Sequence, residues 1–120
     1  GTIWNIYHEQ VGEIMTEQLI KLGLLSLNDV KNQSTSYPAY KKYFMHGTSH
    51  HLGLDVHDFA SRYAPFAEGN IFTVEPGIYI PEEGLGIRLE NNILIVANGT
   101  IDLKADIPIE AEEIEDIMNG

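Results

Sequence analysis

Among the side chains of this 120-residue chain that can hold divalent metals and move protons near neutral pH, five stand out by their surroundings: His46, His50, His57, Glu75 and Glu90. They fall in three short stretches. These are His46-Gly-Thr-Ser-His50-His51-Leu-Gly-Leu-Asp-Val-His57-Asp58, Thr73-Val-Glu75-Pro-Gly-Ile-Tyr79 and Gly86-Ile-Arg88-Leu-Glu90-Asn91. A lone histidine is usually a surface group or a hydrogen-bonded core group. Four of the five histidines lie within twelve positions, which weakens that reading. His46 and His50 are four apart, a spacing that puts two ligands on one helical face. The helical zinc-protease pattern needs a Glu directly after the first histidine. Gly47 stands there, which excludes that chemistry, and Gly47 and Gly53 both work against a helix. A turn into a strand would instead bring His50 and His57 to one pocket. Glu75 and Glu90 lie inside apolar, strand-like runs, where a bare charge is costly to bury. A metal ion is the leading candidate to offset that cost.

The elements expected around these residues are helices, then strands, then a helix. Thr2 is placed to cap a helix whose apolar positions Ile3, Tyr7, Val11, Ile14, Met15, Leu19 and Leu22 follow the helical period, with Gly23 as its stop. A short helical turn over 24–30, a loop over 32–37 and a second short helix from Pro38 follow. Leu52 to His57 reads as a strand. Ile71 to Ile80 reads as a strand bent at Pro76-Gly77. Ile87 to Val96 is the clearest strand, and Asn98-Gly99 turns it into a partner over 100–103. An acidic helix over 108–118 closes the chain. Strands joined by tight turns imply an α+β domain with an antiparallel sheet, helices on one face and the other face lining a site. In the 87–90 run Ile87 and Leu89 face one way, and Arg88 and Glu90 the other. A solvent face with an ion pair would explain that strand alone. Glu75 on the neighbouring strand gives the same face a second carboxylate, and Arg88 is placed to lower carboxylate pKa values and orient a ligand.

Composition narrows the function further. The net charge is −11, from 18 acidic against 7 basic residues, which argues against nucleic acid as a partner. There is no cysteine, so thiolate metal sites and disulfides are excluded. A reducing, cytoplasmic setting is compatible. No apolar run is long enough to span a membrane. The carboxylates at 110, 112, 113, 115 and 116 read as a solvated helix face. His8 reads as surface, His51 as a bystander, Asp58 as a turn or cap residue, and the aromatic residues as core. No phosphate-cradling loop is present, and Ser49 lacks a nucleophile elbow.

At these three stretches the sequence resembles the pita-bread (M24) metallopeptidases, and among them the Xaa-Pro aminopeptidases. The carrying residues are Phe44 to Asp58, Phe72 to Ile80 and Gly86 to Asn91, in the family's order and spacing. The resemblance extends over nearly the whole chain. It implies the fold, the C-terminal part of a pita-bread domain with helices on a curved antiparallel sheet. It also implies the chemistry: hydrolysis of the bond between an N-terminal residue and a following proline, by hydroxide activated by two divalent metals. Manganese is expected first, with cobalt or zinc as alternatives. Carried over residue by residue, the metal ligands are His50, Glu75 and Glu90, with Glu90 bridging and Glu75 also taking a proton. His46 and His57 would meet the substrate, and Arg88 would support the ligands. The family's two aspartate ligands lie before the first helix, and Asp29, Asp55, Asp58, Asp102, Asp106 and Asp116 are not in that context. The 1–120 chain is therefore expected to be the C-terminal portion of a catalytic domain, weak or inactive alone and prone to self-association. An Xaa-Pro dipeptidase and a non-catalytic binding module of the same fold are the alternatives. The expected partner is a peptide with proline in second position, with neither nucleic acid nor membrane.

Overall fold

The computed structural model describes residues 1–120. Helix α1 spans Trp4–Lys21 and buries Gly12, Met15 and Leu19. Met15 and Leu19 form the core with Leu25, Tyr40, Tyr43 and Phe44. Thr2 does not cap α1. Ile3 occupies that position in extended conformation, without a side-chain cap. The chain start is held another way: the Thr2 carbonyl accepts from Phe66 N–H and Ile3 bridges Pro65. The helix ends where Gly23 takes φ 75°, a conformation that suits a residue without a Cβ. Gly12 lets Tyr40 approach, since a Cβ there would lie 2.6 Å from the Tyr40 ring. Helix α2, Leu27–Lys31, starts at a capping box between Ser26 and Asp29. The second short helix is a 3₁₀ turn over Ala39–Lys42.

Five strands follow: β1 Ile71–Val74, β2 Gly77–Ile80, β3 Leu85–Arg88, β4 Asn91–Val96 and β5 Gly99–Asp102. All pairings are antiparallel, β1-β4-β5 in one sheet and β2-β3 in another. The run expected as one strand from Ile87 to Val96 is interrupted at Leu89-Glu90, opposite the interruption at Glu75-Pro76. Yet the register does not slip. Val74 opposes Asn91 and Gly77 opposes Arg88, so counting inward sets Glu75 against Glu90. The two sheets are one long hairpin, bent where proline removes a ladder donor.

The strand expected over 52–57 is absent. The extended segment lies earlier, over 48–52, along the free edge of β1. Leu52, Thr73 and Glu75 donate their N–H groups to the carbonyls of Ile71, His50 and Thr48 respectively. Beyond Leu52 the chain leaves the sheet in a loop tied by Asp58, whose carboxylate accepts from the N–H groups of Leu54 and Phe59. Alternating apolar residues misled the reading there. Leu54 and Val56 are exposed, as is Phe59 just beyond Asp58.

One face of the bent hairpin packs on α1. Phe72 joins Trp4, Tyr7 and Phe66 in an aromatic cluster, and Ile78 and Ile80 pack on the core. The last helix, α3, spans Ala111–Asn119, beginning later than Pro108, and all its residues are exposed. No helix is long and apolar enough to cross a membrane.

Candidate metal centre

The bend in the hairpin brings Glu75 and Glu90 to one face. Residues directly opposite in an antiparallel pair project to the same side. The 48–52 segment adds His50 from the other edge of β1, level with Thr73. Ligand atoms of His50, Glu75 and Glu90 all lie within 4.8 Å of one another. His50 Nε2 is 3.1 Å from Glu75 Oε1. The His50 tautomer follows from its other nitrogen. Nδ1 lies 3.1 Å from the His51 carbonyl, which can only accept, so Nδ1 carries the proton and Nε2 turns to the carboxylates. Glu75 is buried, with 9% of its surface exposed, while Glu90 is more open. Arg88 stands over both, 3.7 Å from Glu75 and 3.9 Å from Glu90, distances of charge compensation rather than hydrogen bonding.

His57 reaches the site from the 53–58 loop. Its ring meets the His50 ring edge-on, centroids 4.2 Å apart. His46 sits further along. Its Nδ1–H donates to the Gly47 carbonyl at 2.8 Å, leaving Nε2 to accept from the Tyr79 hydroxyl at 3.0 Å. A cleft of about 650 Å³ opens along His46, His50 and His57 and continues between Trp4, Lys41 and Arg62. His8 lines the same cleft, and burial together with the Lys41 and Arg62 charges holds its pKa below the usual imidazole value.

His51, a bystander by its sequence position, is a structural anchor. Its ring stacks on Trp4, centroids 5.3 Å apart, and its backbone bridges Phe72. Burial lowers its pKa. His51 thus pins the strand segment whose other side carries His50. Two further residues escaped the sequence reading. Tyr79 crosses the ribbon over Gly77 and Gly86, where added Cβ atoms would lie 2.9 and 2.7 Å from it, and so reaches His46. The two glycines flanking the aromatic position were the available signal. Thr73, 1% exposed, donates its hydroxyl to Glu75 Oε1 at 3.0 Å and accepts His50 N–H at 3.0 Å. Nothing in composition or periodicity marks it. Asp58 serves its loop, and none of the aspartates joins the cluster.

A sequence profile of metallopeptidase family M24 matches residues 1–97. The chain belongs to metallopeptidase family M24. Among curated relatives, it is 41% identical to the Xaa-Pro aminopeptidase of Escherichia coli (strain K12), covering 91% of this chain and 27% of that protein. It is 39% identical to the Xaa-Pro aminopeptidase of Haemophilus influenzae, covering 93% of the chain and 28% of that protein. Of solved structures, a putative aminopeptidase P from Bacillus anthracis superposes with a TM-score of 0.83 at 36% identity, over 99% of this chain and 26% of its own. Zinc-substituted E. coli aminopeptidase P in complex with product superposes at 0.78 with 39% identity, over 98% of this chain and 29% of its own. The M24 chain therefore spans between a quarter and a third of the length of these relatives. Its helices on a bent antiparallel sheet are an α+β fragment of the pita-bread fold, and the family is one that uses divalent metal ions.

Proposed function

We propose that this chain is the C-terminal portion of a metal-dependent aminopeptidase that cleaves between an N-terminal residue and a following proline. The observation that carries the reading is the convergence of His50, Glu75 and Glu90 from three separate stretches onto one face. The names of the relatives supply the substrate class. The donor set fits a divalent ion: one imidazole nitrogen of defined tautomer and carboxylates at a buried bend, without thiolate. Manganese suits the oxygen-rich part of that set. His50, Glu75 and Glu90 would hold such ions together with aspartates supplied from earlier in the polypeptide. When bound, the ions would act as Lewis acids on the scissile carbonyl and make water a better nucleophile.

The chain's own side chains divide the remaining work. Glu75 has one oxygen fixed by Thr73, while Oε2, which carries no hydrogen bond, is the atom to accept a proton from the attacking water. Arg88 limits the repulsion between the two facing carboxylates. His57 and the Tyr79-supported His46 line the cleft in which the peptide would lie. His46, fixed at both ring nitrogens by the Gly47 carbonyl and the Tyr79 hydroxyl, would meet the peptide along that cleft.

The decisive experiment is Glu90→Ala in the full-length protein. It should abolish metal-dependent cleavage of Xaa-Pro peptides while the fold is retained. Unchanged turnover would defeat the assignment. Assay of a dipeptide beside a longer proline-containing peptide separates aminopeptidase from dipeptidase activity.

A further inference from the structure

We infer that Thr73 is the positioning residue that sets His50 and Glu75 at metal-holding distance from each other, an inference that rests on the metal reading of the site. Its hydroxyl is buried between them and makes two bonds whose directions are forced. A backbone N–H can only donate, so Oγ1 accepts from His50 N–H. A carboxylate can only accept, so the single hydroxyl proton goes to Glu75 Oε1. One atom therefore ties the backbone of one ligand to the side chain of another.

This tie replaces a regular ladder bond. Thr73 N–H donates to the His50 carbonyl at 2.9 Å, as antiparallel pairing requires. The return bond from His50 N–H runs to the Thr73 side chain instead of its carbonyl. Threonine is stiff at χ1, so the hydroxyl does not wander. Glu75 has one other attraction, Arg88 at 3.7 Å, while the bare His50 Nε2 meets its Oε1 lone pair to lone pair at 3.1 Å. Without the hydroxyl, its carboxylate is free to turn towards the guanidinium and away from His50. The Thr73 proton holds Oε1 at the His50 side and leaves Oε2 towards Arg88. Valine has nearly the shape of threonine and neither bond.

The test compares Thr73→Val and Thr73→Ser in the full-length protein, which supplies the remaining ligands, with folding checked by circular dichroism. Thr73→Ala replaces the valine variant if that one fails to fold. Two readouts are taken: exchange of the His50 amide proton by NMR, and Mn²⁺ affinity from paramagnetic broadening of His50 resonances. Loss of the hydroxyl should speed His50 amide exchange and weaken Mn²⁺ binding by about 10–100-fold, the usual cost of losing a group that orients a ligand. Serine should retain slow exchange and near-wild-type affinity. Wild-type protein without Mn²⁺ broadening at His50 would overturn the metal reading, and amide exchange alone would then decide the tie. Wild-type binding matched by an equal affinity in the valine variant would overturn the role of Thr73 alone. Equal amide exchange in both would overturn the hydrogen bond itself.

Discussion

Glu75 and Glu90 face each other across a hairpin bend, and two like charges so placed repel unless something positive stands between them. Arg88 supplies part of that compensation from 3.7 and 3.9 Å. Replacing Arg88 by Met should therefore weaken metal binding less than Glu90→Ala does. Tyr79→Phe removes one hydrogen bond to His46 and nothing else, because the ring still fits over Gly77 and Gly86. In the full-length enzyme it should cost roughly 1 kcal/mol in kcat/KM, the net worth of such a bond. No change in steady-state kinetics would show that His46 is held by other contacts. Gly53→Ala should be harsher on stability. A Cβ there would lie 1.6 Å from the Asp58 carboxylate that ties the His57 loop. A loss of roughly 1–3 kcal/mol is expected from the forced displacement, read as a lowered midpoint in urea.

At the scale of elements, the sequence announced α1, the β4–β5 turn and the antiparallel sheet, because each has a local cause. Helical spacing of Met15 and Leu19, Asn98-Gly99 and the β-branched runs need no distant partner. It also announced that His50, Glu75 and Glu90 converge, through motif resemblance more than through periodicity. What stayed hidden depends on contacts between distant segments. The 48–52 strand could not be read because Gly47 and two histidines disguise it, and only its bonds to β1 make it extended. The false strand over 52–57 continues an apolar alternation through Leu54 and Val56, which are exposed. Thr73 and His51 acquire their roles from neighbours more than twenty residues away. Helix α3 obeys its pattern, with the apolar Ile114 and Ile117 exposed beside an acidic face. Since it is exposed throughout, truncation after Glu110 should leave the thermal midpoint of the remaining domain nearly unchanged. A large drop would reveal a packing role.

The molecule as a whole buries little for its length. Most buried apolar side chains gather beneath α1, while Leu85, Ile87 and Leu89 on the outer ribbon lie open. Exposed apolar strand edges invite pairing with another copy. Light scattering of the 120-residue chain should show concentration-dependent association, reduced by Ile87→Lys. Acid should also loosen it. His51 and His8 have folded pKa values below their unfolded value of 6.5. Above about that pH both states are neutral and nothing is gained or lost. Below it the unfolded chain binds protons that the folded chain refuses, so stability falls as pH drops through the window beneath 6.5. His51→Phe should flatten the melting temperature against pH there. The unslipped pairing of β1–β2 with β3–β4 has one more consequence, for indels. Extra residues at the 81–84 tip only lengthen a loop. A single residue inserted inside β3 would send Leu89 to the metal side and Glu90 to the helix side. Natural length variation in this ribbon should therefore collect at its tip and spare its stem.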